Sequence, residues 1–304
     1  MVLSLTGCTS GSSASSSTTP SIYLGNTVSG NGEILGYPLT ATGSVTATTT
    51  LTTPSAPINR FTFDSAGRIY TMTSQTVSRS NYAYTLNAYP KGVTGTATPA
   101  RTITGTITTS SGDNAFAADS SGNMYVCFGA TLMKYTSTAT GAAAPALTLT
   151  LPDVTNTMTT DAAGDLYVAA NGGVITVFNA GFTTSTPART ITPASFVGAY
   201  GIAVDTSGNL YLNGAGTVDE IAVFSSTAGA NAVPTRIITG SLTTLSSDNS
   251  GSIGLDSLGN IYVRNLGTAN ATVVDVFSST ASGNVAPSVI TMTDITNGGG
   301  MVIY

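Results

Sequence analysis

The stretch Gly201-Ile202-Ala203-Val204-Asp205-Thr206-Ser207-Gly208-Asn209-Leu210-Tyr211-Leu212 decides the fold. A short apolar run stops at Asp205, whose side chain can accept a backbone N–H two residues on. Gly208 supplies the positive φ that closes a tight turn. Leu210-Tyr211-Leu212 then starts a second run, so the stretch reads as a hairpin of two strands, A and B. The same Asp-x-x-Gly-x-apolar-Tyr signature begins at Asp64, Asp119, Asp161 and Asp256, with successive spacings of 55, 42, 44 and 51 residues. Periods of this size belong to solenoids, propellers and arrays.

Working outward from each hairpin, a third strand, C, ends in an aromatic: Tyr89, Tyr135, Phe178, Phe224 and Phe277. Nine or ten residues later stands a proline (Pro99, Pro145, Pro187, Pro234, Pro287), where a fourth strand, D, is expected to start, as in Arg101-Thr102-Ile103-Thr104. Proline at the start of an edge strand is tolerated because its missing N–H faces no neighbour. Four antiparallel strands per unit describe a propeller blade. At the ends of the repeat region, Ser21-Ile22-Tyr23-Leu24 matches strand B with no A before it, Glu33–Tyr37 matches C, and Val45–Leu51 matches D. Gly300-Met301-Val302-Ile303-Tyr304 matches A with nothing after it. The expected fold is therefore all-β: a six-bladed β-propeller of four-stranded antiparallel blades, closed by the C-terminal strand joining the N-terminal blade. Closure removes the open sheet edges that invite aggregation. Residues 21–304 form the propeller and residues 1–20 a separate tail.

With the grammar x-P-x-R-x-I-x-G followed by G-I-A-V-D-x-x-G-N-L-Y on the page, the units resemble NHL repeats. That resemblance covers about residues 21–304. It implies a propeller architecture and leaves function open, because such scaffolds carry binding proteins, structural domains and a few enzymes.

Composition narrows the function. Only 8% of the residues are charged, and net charge is −5. The nine basic residues are scattered singly, so nothing clusters to neutralise phosphates, and nucleic acid is not an expected partner. No run of about 18 apolar residues spans a membrane. Leu5-Thr6-Gly7-Cys8 resembles the bacterial lipoprotein cleavage site, and a Ser/Thr/Gly/Ala tract runs on to Pro20. Such a tract reads as a flexible tether. The expectation is an exported, envelope-associated domain, lipidated at Cys8 and touching the membrane only through that anchor. The second cysteine, Cys127, lies in a buried-strand pattern and is expected to pack as a small hydrophobe.

The A–B turn and the C–D connection keep nearly constant lengths, whereas B–C and D–A vary. From motif Asp to strand C aromatic the distances are 25, 16, 17, 19 and 21 residues. In an up-and-down blade, B–C and D–A loops emerge on one face of the disc, around the channel mouth. Loops on a rigid scaffold are where function is commonly placed. The candidate ligand face comprises Asp113, Asp153, Asp248 and Asp294 from D–A loops and Glu33, Arg79, Asp219, Glu220 and Arg264 from B–C connections. It also includes Asn59, Asn114 and Asn156 just before strand A, Tyr200 at the equivalent place in a fourth blade, and Tyr82 as a stacking surface in the longest B–C connection.

The chain contains no histidine, which removes the commonest general base and the Ser-His-Asp and Cys-His arrangements. Virginiamycin B lyases and peptidylglycine amidating lyases, propeller enzymes with related repeats, depend on histidines, and the chain departs from both. A third comparison is the gluconolactonase-like family, whose channel holds a divalent cation on carboxylate and Asn oxygens. Asn59, Asn114 and Asn156 with Asp113 or Asp153 offer such oxygens for Ca²⁺ or Mg²⁺, but no motif carries the match. The repeated Asp residues, one per blade, are expected to close turns, the strand D arginines Arg101, Arg189 and Arg236 to cover blade edges or pair with a neighbouring blade, and the repeat tyrosines to pack between blades. The leading expectation is a monomeric, non-enzymatic binder of a protein or glycan partner, with no cofactor. A cation-dependent lactone or sugar-acid hydrolase and a structural envelope scaffold are the alternatives.

Overall fold

The structure, a computed structural model, describes residues 21–53, 57–109, 111–196, 198–215, 219–246, 252–296 and 299–304. Six antiparallel sheets surround one channel. The ring closes as the repeat predicts. Met301–Ile303 pairs antiparallel with Ser21–Val28, setting Ile22 opposite Ile303 and Leu24 opposite Met301. Backbone bonds between Ser21 and Tyr304 (2.7 and 3.1 Å) extend the pair. Among the described residues no helix is long and apolar enough to cross a membrane.

Each strand sends alternate side chains to opposite faces of its blade, and each blade is covered on both faces by its neighbours. In the fifth blade, Leu210, Leu212, Ala222 and Phe224 pack against the fourth, while Tyr211, Ile221 and Val223 pack against the sixth. The same holds around the ring, so the core is divided into clusters lying between successive blades. Strands B and C are apolar on both faces for this reason, as in Met124-Tyr125-Val126-Cys127-Phe128, which is wholly buried.

The repeated Asp closes the A–B turn. Asp205 Oδ1 accepts the amides of Ser207 and Asn209, and Oδ2 accepts Asn209 Nδ2 and the Tyr211 hydroxyl. Asp119 and Asp256 make the same set of bonds to Asn123 and Tyr125, and to Asn260 and Tyr262. Asp64 receives Arg68 Nε at 2.6 Å in place of the asparagine amide. The repeat tyrosine therefore does more than pack: its hydroxyl satisfies the turn carboxylate. Burial and that carboxylate together hold the Tyr262 hydroxyl up at about 12.

The outer rim departs from the expected plan. Strand D of the first blade is Thr49–Thr53 rather than Val45–Leu51. Gly43–Val45 is a separate short strand that runs parallel to Ser288–Met292, strand D of the last blade. The prolines end the C–D connections and do not begin strands; Pro99, for example, precedes a strand D that starts at Arg101. Nor is strand D everywhere an open edge. Gly95–Thr96, from the second C–D connection, pairs with Leu51 and Thr52 of the first blade. Single parallel bridges join Gly141 to Ile103, Ala232 to Pro193 and Gly283 to Ile238. Each of these straps reaches back over strand D of the preceding blade. The glycine six residues after the strand C aromatic turns the strap: Gly43, Gly95, Gly141 and Gly283 all have φ between 63° and 69°, a region that L side chains resist. The constant C–D length follows from this span.

Arginines fasten the straps. Arg101 donates to the carbonyls of Thr136, Ala139 and Gly122 in the next blade. Arg236 donates to Ser279 and Ala281, and Arg189 to Ser226. In the fourth blade Phe182 takes over. It stacks on Phe178 and Tyr125, and its carbonyl accepts Lys134 Nζ at 2.8 Å.

Candidate functional site

The inner strands enclose a central cavity of 650 Å³, a size suited to a small ligand. Its wall is built from the A strands: Arg60–Thr62, Asn114 and Phe116, Asn156–Thr160, Tyr200–Val204, Ser252–Leu255 and Gly299–Ile303, with Arg264 from a strand B. B–C turns and D–A loops meet on one face, as expected. The Gly129 amide, in a B–C turn, donates to the Asp113 carbonyl, and the Asn171 amide donates to the Val154 carbonyl.

The sequence-derived candidates divide between channel and frame. Asp113, Asn114, Asn156, Tyr200 and Arg264 line the channel. Asn59 does not: its Oδ1 accepts the Ser74 amide at 2.6 Å and fixes the chain entering strand A. Asp153 is likewise engaged with backbone, receiving the amides of Val154 and Gly172. Asp294 receives the Tyr37 hydroxyl and the Ala47 amide, and Glu33 receives Asn26 Nδ2. Tyr82 is not in a loop at all. The long B–C spacing of the second blade is a hairpin, Ile69–Ser78 with Asn81–Tyr89, and Tyr82 stacks on Phe128 of the third blade at 6.0 Å. Arg79 is exposed at the tip of that hairpin. Asp219 and Glu220 begin strand C of the fifth blade, where Glu220 is buried and burial raises its pKa. Cys8 and Asp248 lie outside the described residues. Cys127 is buried, donates to Thr155 Oγ1, and has its thiol pushed up to about 12 by burial, with the Thr155 bond opposing.

Arg60 was absent from the sequence candidates. It is the lone charge in a strand A, and that was the available signal. Its Nε donates to the Asn114 carbonyl and its Nη1 to the Asn59 carbonyl, both at 3.2 Å. The side chain is exposed at the channel, yet the surrounding blades crowd it. That desolvation lowers its pKa, and the Asp113 carboxylate pulls the other way. Burial lowers the Arg264 pKa too. Asn114 Oδ1 is buried without a hydrogen-bond partner, a cost of about 1–3 kcal/mol. Turning that amide toward a bound molecule would forfeit nothing on the acceptor side.

Chemically, the channel wall offers guanidinium, amide and phenol donors and, among the described residues, one carboxylate, Asp113. Among the described residues no three His, Cys, Asp or Glu side chains stand together to hold a metal ion. Asn114, Asn156 and Asp113 share the channel wall, but Asn59 and Asp153 are directed to backbone amides.

The sequence matches no family model and no curated protein. Solved propellers do resemble the structure. The WD40 β-propeller domain of Doa1 is 17% identical over 85% of this chain and 75% of that one, with a TM-score of 0.54. The WD40 domain of Toxoplasma gondii coronin is 14% identical over 89% of this chain and 68% of that one, with a TM-score of 0.52. Citrobacter koseri AztD is 10% identical over 94% and 98%, with a TM-score of 0.51. At these identities the likeness is one of fold: the chain is a β-propeller.

Proposed function

We propose that this propeller, with its NHL-like repeats, is a non-enzymatic binding domain that takes a protein or glycan partner at the channel mouth on the B–C/D–A face. One observation carries the reading. The polar side chains that recur in every blade are occupied in turns and straps, whereas the mouth gathers a mixed set from different blades and strands, Arg60, Asn114, Asn156, Tyr200, Ser252 and Arg264, in which only the asparagine repeats. A frame needs repetition, and recognition of one ligand does not. Absence of histidine, the raised Cys127 thiol and the acids committed to turn amides all speak against catalysis. The Cys8 segment supports export and lipid tethering at the cell envelope, as a proposal resting on its sequence alone.

The test is a glycan-array and envelope-protein binding screen of the full chain beside an Asn156→Ala/Tyr200→Ala variant. Ligands retained by the parent are expected to be lost by the variant, with melting temperatures alike. Undiminished binding by the variant, or no ligand in either screen, would remove this assignment.

A further inference from the structure

Four Asn-Gly pairs occur in the chain: Asn31-Gly32, Asn171-Gly172, Asn213-Gly214 and Asn297-Gly298. A glycine after asparagine leaves the backbone nitrogen uncovered by a Cβ, so the asparagine side-chain carbonyl carbon can approach it closely. The fold treats the pairs unequally. Asn213 is 1% exposed within a strand. Gly32 lies in the ladder of the first blade, opposite Thr27 on one side and Thr53 on the other, and a Cβ there would fall 2.5 Å from the Ile58 side chain. Asn297-Gly298 lies outside the described residues.

Asn171-Gly172 sits on the loop face, in the B–C turn of the fourth blade, and both residues are exposed. The Gly173 amide closes the turn on the Ala170 carbonyl at 3.0 Å, with Gly173 at a φ of 80°. Asp153, in the D–A loop entering the same blade, is held in place beside it. Its Oδ1 accepts the Val154 amide at 2.7 Å, and its Oδ2 accepts the Gly172 amide at 2.9 Å. A Cβ on Gly172 would come within 3.0 Å of that Oδ2, so glycine is what admits the carboxylate.

A general base must stand about 2.6–3.2 Å from the atom whose proton it removes, and Asp153 Oδ2 does so at the Gly172 nitrogen. The N–H bond lies in the peptide plane, whereas a carbon attacked by that nitrogen approaches from above or below the plane. The Asp153 bond therefore steadies the nitrogen and leaves the path of Asn171 Cγ open.

We propose that Asn171 is a site of self-modification, its side-chain amide converted to aspartate and isoaspartate through attack by the Gly172 nitrogen with Asp153 as the base. The Gly172 proton passes to Asp153 Oδ2 as the nitrogen bonds to Asn171 Cγ. The Cγ–Nδ2 bond then breaks, and ammonia leaves with that proton, closing a cyclic imide. Water adds to either imide carbonyl: opening at the side-chain carbon gives aspartate, and opening at the backbone carbon gives isoaspartate, which carries an extra methylene in the main chain. Both products set a new carboxylate beside Asp153. The Asn171 amide also bonds the Val154 carbonyl at 2.8 Å, just before the strand that carries Asn156 into the channel wall, so the conversion alters the loop face whatever that face binds.

The experiment incubates the full chain at neutral pH, folded and in guanidinium chloride, and follows each Asn-Gly pair by peptide mapping with mass spectrometry, isoaspartate being read by enzymatic carboxyl methylation. In the folded chain Asn171 is expected to convert faster than Asn31 and Asn213 and to yield both isomers. It should also convert at least about tenfold faster than in denaturant, where Asp153 no longer meets Gly172. Asp153→Asn should slow conversion at position 171 by a similar factor and leave the other pairs unchanged. If that variant melts early, the comparison of folded with denatured parent decides alone. Conversion at Asn171 no faster folded than denatured, or no faster than at Asn31 or Asn213 in the folded chain, overturns the inference. So does a folded Asp153→Asn variant that converts at the parental rate or above.

Discussion

The Tyr37 hydroxyl donates a 2.5 Å hydrogen bond to Asp294 Oδ1, 257 residues further along the chain. Oδ2 of the same carboxylate receives the Ala47 amide at 2.7 Å, and the Thr293 amide donates to the Val45 carbonyl. One acid thus joins strand C of the first blade, its strap and the last D–A loop. Burial first, and then the carboxylate, raises the Tyr37 pKa, so the phenol remains the donor throughout the neutral range.

Replacing Tyr37 by Phe leaves Asp294 short of a donor at the seam. The expected loss is about 1.5–3 kcal/mol, the usual worth of a hydrogen bond to a charged group. Urea denaturation with an unchanged m-value checks it. A loss below about 0.5 kcal/mol would mean that solvent replaces the phenol without cost.

Arg101 reaches three carbonyls of the third blade through two nitrogens. Lysine cannot reproduce that planar fork. Arg101→Lys is therefore expected to destabilise nearly as much as Arg101→Ala, by about 1–3 kcal/mol, and hydrogen exchange should rise at Thr104 and Gly141. Full rescue by lysine would show that charge alone matters here.

Glu220 is 7% exposed, and burial raises its pKa. The folded state thus holds the proton more tightly than the unfolded chain, and stability falls as pH rises through the ordinary carboxylate range to the raised value. Glu220→Gln should match the parent near pH 4 and exceed its melting temperature at pH 7, the gap opening between these values. Asp275, buried at 1% and also raised by burial despite bonds from Asn265 and Thr244, has the same sign. Parallel pH profiles for parent and variant would refute the assignment to Glu220.

A Cβ on Gly214 would overlap the Gly198 carbonyl oxygen and crowd the Phe196 ring. Because the obstruction is backbone of the paired strand A, it cannot swing aside. Gly214→Ala should cost about 1–3 kcal/mol, as overpacked sites do, and should loosen the channel wall near Tyr200, measurable as faster amide exchange at Gly201. Gly300→Ala, whose Cβ would meet only ordinary van der Waals neighbours, Ser252 Oγ at 3.7 Å and a Phe61 ring carbon at 4.0 Å, serves as the control and should be nearly neutral.

The frame was legible in the sequence because it repeats. Asp205 and its four counterparts solve one geometric problem at each A–B turn, and identical problems select identical residues. Met301–Tyr304 could be assigned to the first blade because a strand A was missing there. The straps were harder to see. Gly43-Ser44-Val45 is too short to alternate, and its pairing partners, Ile290 to Met292, lie 247 residues away, so only the fixed C–D length and the recurrent glycine hinted at it. The site was least legible. Arg60 stands in a strand whose counterparts carry no charge, and no repeat distinguishes it. Asn59 and Asn156 look alike in sequence, yet one faces the Ser74 amide and the other the channel. Strand twist and the Asn59 backbone bond to Met72, which no linear pattern encodes, separate them.

Overlapping straps also bear on how the molecule comes apart. An open array frays from its terminal units, because each has only one neighbour. Here the chain leaving the last blade supplies the first blade's inner strand, Met301–Ile303, and Gly43–Val45 of the first blade pairs with the last blade's outer strand, so every blade has two neighbours. Detaching any blade strips apolar surface from two others at once, which makes partly unravelled intermediates costly and favours a single, sharp, all-or-none melt.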